Sequence, residues 1–226
     1  DLHIYAHQKL KLIIDLQLAA TNTELNYPLF FHPISENNEH VLFEDEKISI
    51  SNIILNHTIS CSGFLFIEKK RKRSILKDRI EKYNIPFDKY NGIKEGADWI
   101  ADSGEIIKNR EITTENTSAH SYAFCTDTAY NESLIEKIKG IDLLYHEATF
   151  KKELTSRAIE TGHSTTFEAA TIAKKSSVKN LLIGHFSQRY RNLDELLIES
   201  KEVFKNTYLA ESGLEIDFNK FSRMRD

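Results

Sequence analysis

Residues 122–150 of the chain read YAFCTDTAYNESLIEKIKGIDLLYHEATF, and residues 162–190 read GHSTTFEAATIAKKSSVKNLLIGHFSQRY. Three short apolar runs in these stretches predict buried strands, at Tyr122–Cys125, Ile141–Tyr145 and Leu181–Gly184. Helical segments alternate with the runs. This alternation predicts an α/β fold.

Polar residues that bind ligands follow the predicted strands. Asp127, His146 and His185 each lie where an apolar run meets a polar turn, and His163 lies at a similar junction. In open α/β sheets, sites collect outside the carboxyl ends of the strands. A carboxylate and imidazoles that reach one place from separate strands are suited to binding a divalent metal.

Composition indicates a globular chain of one domain or most of one, with 226 residues and 40% hydrophobic content. The net charge of −4 gives no global support for nucleic-acid binding, so RNA contact would need local patches. Cys61 and Cys125 are far apart and lie in apolar stretches, which fits a reducing cytoplasm. No apolar run is long enough to predict a membrane span or a secretion signal.

The rest of the chain predicts further strands, two helices and an inserted arm. The strands are His3–Tyr5, Leu29–Ile34, Val41–Phe43, Lys47–Leu55 and Gly63–Ile67, and the helices are Gln8–Ala20 and Asn192–Tyr208. Residues 68–110 are highly charged and lack an extended apolar periodicity. We interpret this segment as an arm or insertion.

The motifs FCTDT, LLYHEATF, GHSTT and LLIGHFSQRY, in this order, closely resemble the C-terminal half of ribonuclease Z. That family has the metallo-β-lactamase fold and trims the 3′ trailer from precursor tRNA. The segments DLHIYAHQKLKLIID and ILNHTISCSGFLFIEKK are also similar to family segments. The resemblance implies an α/β fold of the αββα sandwich type, precursor tRNA as partner, a cytoplasmic homodimer and two Zn²⁺ per subunit in the full-length protein.

The family's H-x-H-x-D-H motif does not occur in the 226 residues. The resemblance places it upstream of Asp1, and the chain does not open on Met. We therefore expect residues 1–226 to be the C-terminal majority of one metallo-β-lactamase-fold domain, without its N-terminal strands and first metal motif. On this expectation the chain is inactive alone, and its activity is that of a longer protein.

The resemblance assigns three metal ligands, His57, Asp127 and His185. His57 follows an apolar run, as a metal-binding imidazole would, although a surface or core histidine would give the same pattern. Asp127 supplies the carboxylate that can bridge two metals. Its alternative role is to cap the helix predicted in the residues that follow.

The resemblance also assigns two catalytic residues. His163 would protonate the departing 3′ oxygen or steady the phosphate charge, and Glu147 would orient His163. His146 is expected to be a buried hydrogen-bonding residue. Helix capping by Thr165 and Glu168 accounts for the hydroxyls of the GHSTT segment without catalysis.

Basic residues supply the candidate RNA contacts. Five of them, Lys69, Lys70, Arg71, Lys72 and Arg73, are consecutive in the predicted arm, where the family grips tRNA. The alternative is a solvated charge run. Arg189 could contact a phosphate or form a surface ion pair. Where long-arm relatives have a Gly-Pro pair, this chain has Phe87 and Asp88.

Two rival functions remain open from the sequence. One is another hydrolase of the metallo-β-lactamase fold that acts on small phosphodiesters, sulfates or esters. The other is a non-catalytic RNA-binding or dimerising relative. The HEAT and HST motifs and the basic arm argue against the first, and an intact H-x-H-x-D-H motif in the longer reading frame would exclude the second.

Overall fold

A computed structural model of the chain describes residues 1–116 and 119–218. Its contacts divide the chain into two compact units. The first unit comprises Asp1–Ile67 and the chain from His120 onward, and the second comprises Glu68–Ala119.

The described residues form strands and helices along both units. The strands are β1 (Leu2–Ala6), β2 (Leu29–Pro33), β3 (Val41–Glu44), β4 (Ile48–Leu55), β5 (Cys61–Glu68), β6 (Ser74–Ile75), β7 (Trp99–Ile100), β8 (Ile106–Ile107), β9 (Thr113–Thr114), β10 (Ser121–Cys125), β11 (Leu143–Glu147), β12 (Asn180–Gly184) and β13 (Thr207–Leu209). The helices are α1 (Gln8–Ala20), α2 (Lys77–Lys82), α3 (Tyr90–Lys94), α4 (Asn109–Ile112), α5 (Leu134–Lys137), α6 (Thr155–Thr161), α7 (Thr166–Lys175) and α8 (Asp194–Val203).

The first unit is built on a seven-stranded sheet with the order β13-β12-β11-β10-β5-β4-β3. The strands β10 to β13 are parallel, and β5 runs antiparallel to β10. The three predicted apolar runs correspond to β10, β11 and β12, but β11 begins two residues later than the predicted Ile141–Tyr145 and ends at Glu147. A separate pair, β1 and β2, is also parallel.

The core of the first unit lies between this sheet and helix α7. Leu144, Leu181 and Ile183 of the sheet are buried together with small residues of α7, including Ala169 and Ala173. Alanines let a helix approach a sheet closely. The start of α7 is fixed by the predicted capping box between Thr165 and Glu168, which the structure confirms.

One helix predicted for the first unit needs correction. The predicted helix Asn192–Tyr208 is too long, because α8 ends at Val203 and Thr207–Leu209 instead adds strand β13 to the sheet. This strand provides a parallel partner for the edge of β12, which local helical spacing does not reveal. Helix α1 has the predicted bounds, but none of its residues is buried.

The second unit has its own small apolar core, formed by Ile85, Ile93, Ile107 and Ile112. Two short antiparallel pairs, β6 with β9 and β7 with β8, surround it. The predicted arm ended at residue 110, whereas this unit continues to Ala119. Its core residues come from separate short elements, so no single stretch shows a core periodicity. Among the described residues, no helix is both long and apolar enough to cross a membrane.

Candidate metal centre and active site

Three of the predicted site residues lie at the carboxyl ends of adjacent parallel strands. Asp127 lies two residues beyond β10, Glu147 is the last residue of β11, and His185 directly follows β12. Because these strands are parallel neighbours, their carboxyl ends meet at one edge of the sheet.

His57 reaches the same edge from the loop between β4 and β5. A backbone hydrogen bond of 2.7 Å from the amide of Ala129 to the carbonyl of Asn56 holds this loop beside the segment after β10. The Nδ1 of His57 lies 2.8 Å from the carbonyl oxygen of Gly162. Because a carbonyl only accepts, Nδ1 carries the proton, and the lone pair of Nε2 is left for a ligand.

Asp127 and His185 face each other, with 3.2 Å between Oδ1 and Nε2. Both have positive φ, 50° for Asp127 and 60° for His185. This left-handed backbone costs an L-residue about 1–2 kcal/mol, and such strain collects at functional sites. A Cβ on Gly184 would lie 2.4 Å from the hydroxyl of Tyr145, so any other residue before His185 would require the ring of Tyr145 to move.

Glu147 is fully buried and holds His163. Its Oε1 accepts from the Nδ1 of His163 at 2.8 Å and from the amide of Thr128 at 2.6 Å. Its Oε2 accepts from the hydroxyl of Thr149 at 2.6 Å and from the amide of Ser164 at 3.1 Å. Four donors satisfy the buried carboxylate, which therefore fixes the ring of His163 with Nε2 pointing away from it.

The five predicted metal and catalytic residues form one cluster. Two groups of three residues each bring their ligand atoms within 4.8 Å of one another. The first group is His57, Asp127 and His163, and the second is Glu147, His163 and His185. Imidazole nitrogens and carboxylate oxygens are donors that zinc takes in proteins, so the residues present fit a metal ion. His163 belongs to both sets, and its ring centroid lies 5.0 Å from that of His57 and 5.2 Å from that of His185.

His146 points away from this cluster into the core. It is fully buried, and its Nδ1 donates to the carbonyl oxygen of Glu147 at 2.7 Å. Burial lowers the pKa of the imidazole from its ordinary value, because the charged form loses its hydration. The structure therefore places His146 as a neutral residue of the core beneath the site.

Within the second unit, the basic run contains two residues in ion pairs and two exposed residues without an ion pair among the described residues. Lys72 forms an ion pair of 2.7 Å with Glu95, and Arg73 forms one of 2.9 Å with Glu115. Lys70 and Arg71 are exposed and form no ion pair among the residues that the structure describes. Lys69 is partly buried.

Arg189 is exposed and lies beside the candidate site. Its guanidinium carbon is 5.1 Å from the ring centroid of Phe150, and that ring lies 6.4 Å from the ring of His163. Its Nε donates to the hydroxyl of Ser187 at 3.1 Å. It forms no ion pair within residues 1–116 and 119–218, so the surface ion pair considered from the sequence is not seen.

Sequence reasoning missed several residues that orient the site. Thr128, Thr149 and Ser164 are buried and surround the carboxylate of Glu147, while Gly162 holds His57. Thr149 donates to Glu147 through its hydroxyl, whereas Thr128 and Ser164 donate through backbone amides, which carry no side-chain signal. The carbonyl of Gly162 carries no side-chain signal, so nothing in the sequence could have identified its contact.

Comparisons with known proteins connect this geometry with a family. No family model matches the chain. Ribonuclease Z of Bacteroides thetaiotaomicron is 40% identical over 226 residues, which cover 100% of this chain and 72% of that protein. Ribonuclease Z of Porphyromonas gingivalis strain W83 is 40% identical over 216 residues, which cover 96% of this chain and 71% of that protein.

Solved structures share the fold at lower identity. The short form of human tRNase Z has a TM-score of 0.62 and 23% identity, with 96% of this chain and 67% of that chain covered. The metallo-β-lactamase fold protein YhfI of Bacillus subtilis has a TM-score of 0.57 and 18% identity, with 94% of this chain and 63% of that chain covered. These likenesses confirm the predicted metallo-β-lactamase fold.

Proposed function

The chain belongs to the ribonuclease Z family, and we propose that the full-length protein is an endonuclease that removes the 3′ trailer from precursor tRNA. Cleavage leaves the mature tRNA with a 3′-hydroxyl. The observation that carries this proposal is the contact between His163 and the buried Glu147 beside the metal-binding cluster. That contact supplies an oriented proton donor next to ligands for a cation.

We propose zinc as the cofactor, with two ions per subunit in the full-length protein. His57, Asp127 and His185 are the residues of this chain that would hold zinc. Zinc would supply Lewis-acid chemistry at the scissile phosphate when bound. The strained backbone at Asp127 and His185 supports this assignment, because it presents both side chains to the same point.

His163 has the geometry of a general acid for the leaving group. Water attacks phosphorus and gives a proton to a base, which the family resemblance places in the H-x-H-x-D-H motif. The bond to the 3′ oxygen of the mature tRNA breaks, and that oxygen takes up a proton. With Nδ1 held by Glu147, a proton on Nε2 of His163 points into the cluster and can be transferred. The carboxylate stabilises the positive charge of the imidazolium until the proton leaves.

The two units differ in charge, which supports an RNA-binding role for the second. Residues 68–119 contain 12 basic and 10 acidic residues, whereas the rest of the chain contains 18 basic and 24 acidic ones. The exposed Lys70 and Arg71 are the strongest candidates in the run for contact with phosphates. Arg189, beside the cluster, is a further candidate for the scissile region.

A homodimer and a cytoplasmic location are part of this proposal. Both follow from the ribonuclease Z resemblance, and the two free cysteines are compatible with a reducing compartment. The rival hydrolases of the same fold are disfavoured by the 40% identity to ribonuclease Z, compared with 18% to YhfI.

The test is cleavage of a precursor tRNA by the zinc-loaded full-length protein, with both new ends mapped. We expect one cut at the trailer junction and a 3′-hydroxyl on the tRNA. A zinc-loaded protein that binds the precursor without cleaving it would favour the non-catalytic relative. Cleavage of small sulfates or esters in place of RNA would favour another hydrolase.

A further inference from the structure

Thr149 lies between the proposed proton donor and a proposed metal ligand. It follows β11, two residues beyond Glu147, and is only 7% exposed. Its hydroxyl oxygen lies 2.6 Å from Oε2 of Glu147, 2.9 Å from Nδ1 of His185 and 3.0 Å from the carbonyl oxygen of His185.

The chemistry of these partners fixes the direction of the hydrogen bonds. A threonine hydroxyl has one hydrogen, and a carboxylate is a stronger acceptor than a carbonyl. The hydrogen therefore goes to Glu147, which is also the shortest contact. The oxygen of Thr149 then accepts a hydrogen from Nδ1 of His185.

This direction sets the tautomer of His185. With the proton on Nδ1, the lone pair is on Nε2, the atom that lies 3.2 Å from Asp127. Without an acceptor at Nδ1, the carboxylate of Asp127 would favour a proton on Nε2, and that tautomer could not bind a metal through Nε2.

We propose that Thr149 is a positioning residue that fixes the metal-binding tautomer of His185 and ties it to the carboxylate that holds His163. One buried carboxylate thus orients the proton donor directly and the ligand through one hydroxyl. The expected effect on zinc affinity rests on the proposed function, in which His185 is a metal ligand. The directions of the hydrogen bonds follow from the geometry alone.

The matched variants are Thr149→Val and Thr149→Ser. Valine removes the hydroxyl at similar volume, and serine keeps it. Nitrogen-15 NMR of the metal-free chain reports which nitrogen of His185 carries the proton. Chelator competition with the full-length protein reports zinc affinity. We expect Nδ1–H in the wild type and the serine variant. In the valine variant we expect loss of that preference and an affinity about ten- to a hundredfold lower.

A Thr149→Val variant in which His185 keeps the same tautomer and zinc affinity is unchanged would overturn the proposal. If the valine variant does not fold, the wild type still decides, because an unprotonated Nδ1 of His185 in the metal-free chain contradicts the inferred direction. The NMR measurement uses neither metal nor RNA. Absence of precursor-tRNA cleavage would therefore refute the proposed function while leaving the hydrogen-bonding inference to stand or fall on its own data.

Discussion

The Nδ1 of His57 donates a hydrogen bond of 2.8 Å to the carbonyl oxygen of Gly162, which lies 105 residues further along the chain. Gly162 directly precedes His163. The backbone that carries the proposed proton donor therefore also orients a proposed metal ligand, and a change in this loop should affect both.

Gly162→Ala should destabilise the chain and weaken its metal binding. Gly162 has a φ of 73°, and an added Cβ would lie 2.9 Å from Nδ1 of His57. Left-handed backbone costs alanine about 1–2 kcal/mol, and displacement of His57 adds to that cost. Urea unfolding measures the first effect, and chelator competition with zinc measures the second.

Gly140→Ala is the matched control. Gly140 has a φ of 70°, but nothing lies within 4 Å of its added Cβ. This variant should show the backbone cost alone, with metal binding unchanged. Equal effects of the two substitutions on both readouts would show that the contact with His57 does not matter.

The chain of 226 residues should bind zinc weakly and substoichiometrically, whereas the full-length protein should hold about two ions per subunit. The reason is that His57, Asp127 and His185 are only part of the ligand set that the family resemblance implies. Elemental analysis after dialysis measures both proteins. Two tightly held ions in the present chain would contradict the prediction.

The double variant Lys70→Ala, Arg71→Ala of the full-length protein should bind precursor tRNA more weakly, because two exposed charges are removed. Each lost phosphate contact should reduce the slope of log K against log salt by about 0.9, because fewer counterions are released. Cleavage of a small phosphodiester should not change. Filter binding at several salt concentrations and a chromogenic diester assay provide the two measurements.

Lys139→Ala is the control for this pair, since Lys139 is an exposed lysine near the opposite ends of the strands from the site. It should leave the salt dependence as in the wild type. A loss of diester cleavage equal to the loss of tRNA binding would mean instead that Lys70 and Arg71 support folding.

Cys125 should resist alkylation in the native chain and titrate only at high pH. Burial raises the pKa of this thiol from 9.0 to about 12. In the unfolded chain the thiol ionises above about pH 9, whereas in the folded chain it stays neutral up to about pH 12. The free energy of unfolding therefore falls between these pH values, by no more than about 1.4 kcal/mol per pH unit. Urea unfolding between pH 8 and 10 should show a steeper decline for the wild type than for Cys125→Ala; equal declines would contradict the assignment.

Much of the fold was predictable because the central strands are continuous apolar runs. Tyr122–Cys125 and Leu181–Gly184 were found within a residue of their bounds, and the capping box marked the start of α7. Strand β13 was not found, because its pairing with β12 depends on residues far apart in sequence. The core of the second unit was missed because its isoleucines come from separate short elements.

The sequence predicted which candidate residues lie together but not their contacts, and the roles of these residues remain predictions. Asp127 and His185 stand at strand ends, a position that the sequence shows directly. The hydrogen bonds of Gly162 and Thr149 depend on loop conformation, as do the left-handed φ angles of Asp127 and His185. Side-chain pattern carries no information about these, so the way in which the rings are oriented needed the structure.

The roles of Asp127 and His163 should separate in the full-length protein. Asp127→Ala should abolish activity and lower bound metal, because we propose that this carboxylate holds the ions. His163→Ala should keep metal content and tRNA affinity while lowering precursor cleavage by about a hundredfold or more. Metal analysis of both variants is the control, since His163 also lies within reach of the metal ligands.

The most direct test of the account is the rate of His163→Ala on two substrates that differ in leaving group, precursor tRNA and a nitrophenyl phosphodiester. Nitrophenolate leaves without a proton, whereas the 3′ oxygen of tRNA requires one. We expect a loss of about a hundredfold on tRNA and a much smaller loss on the diester, with metal content unchanged. Equal losses on both substrates, or loss of metal, would contradict the assignment of His163 as the proton donor.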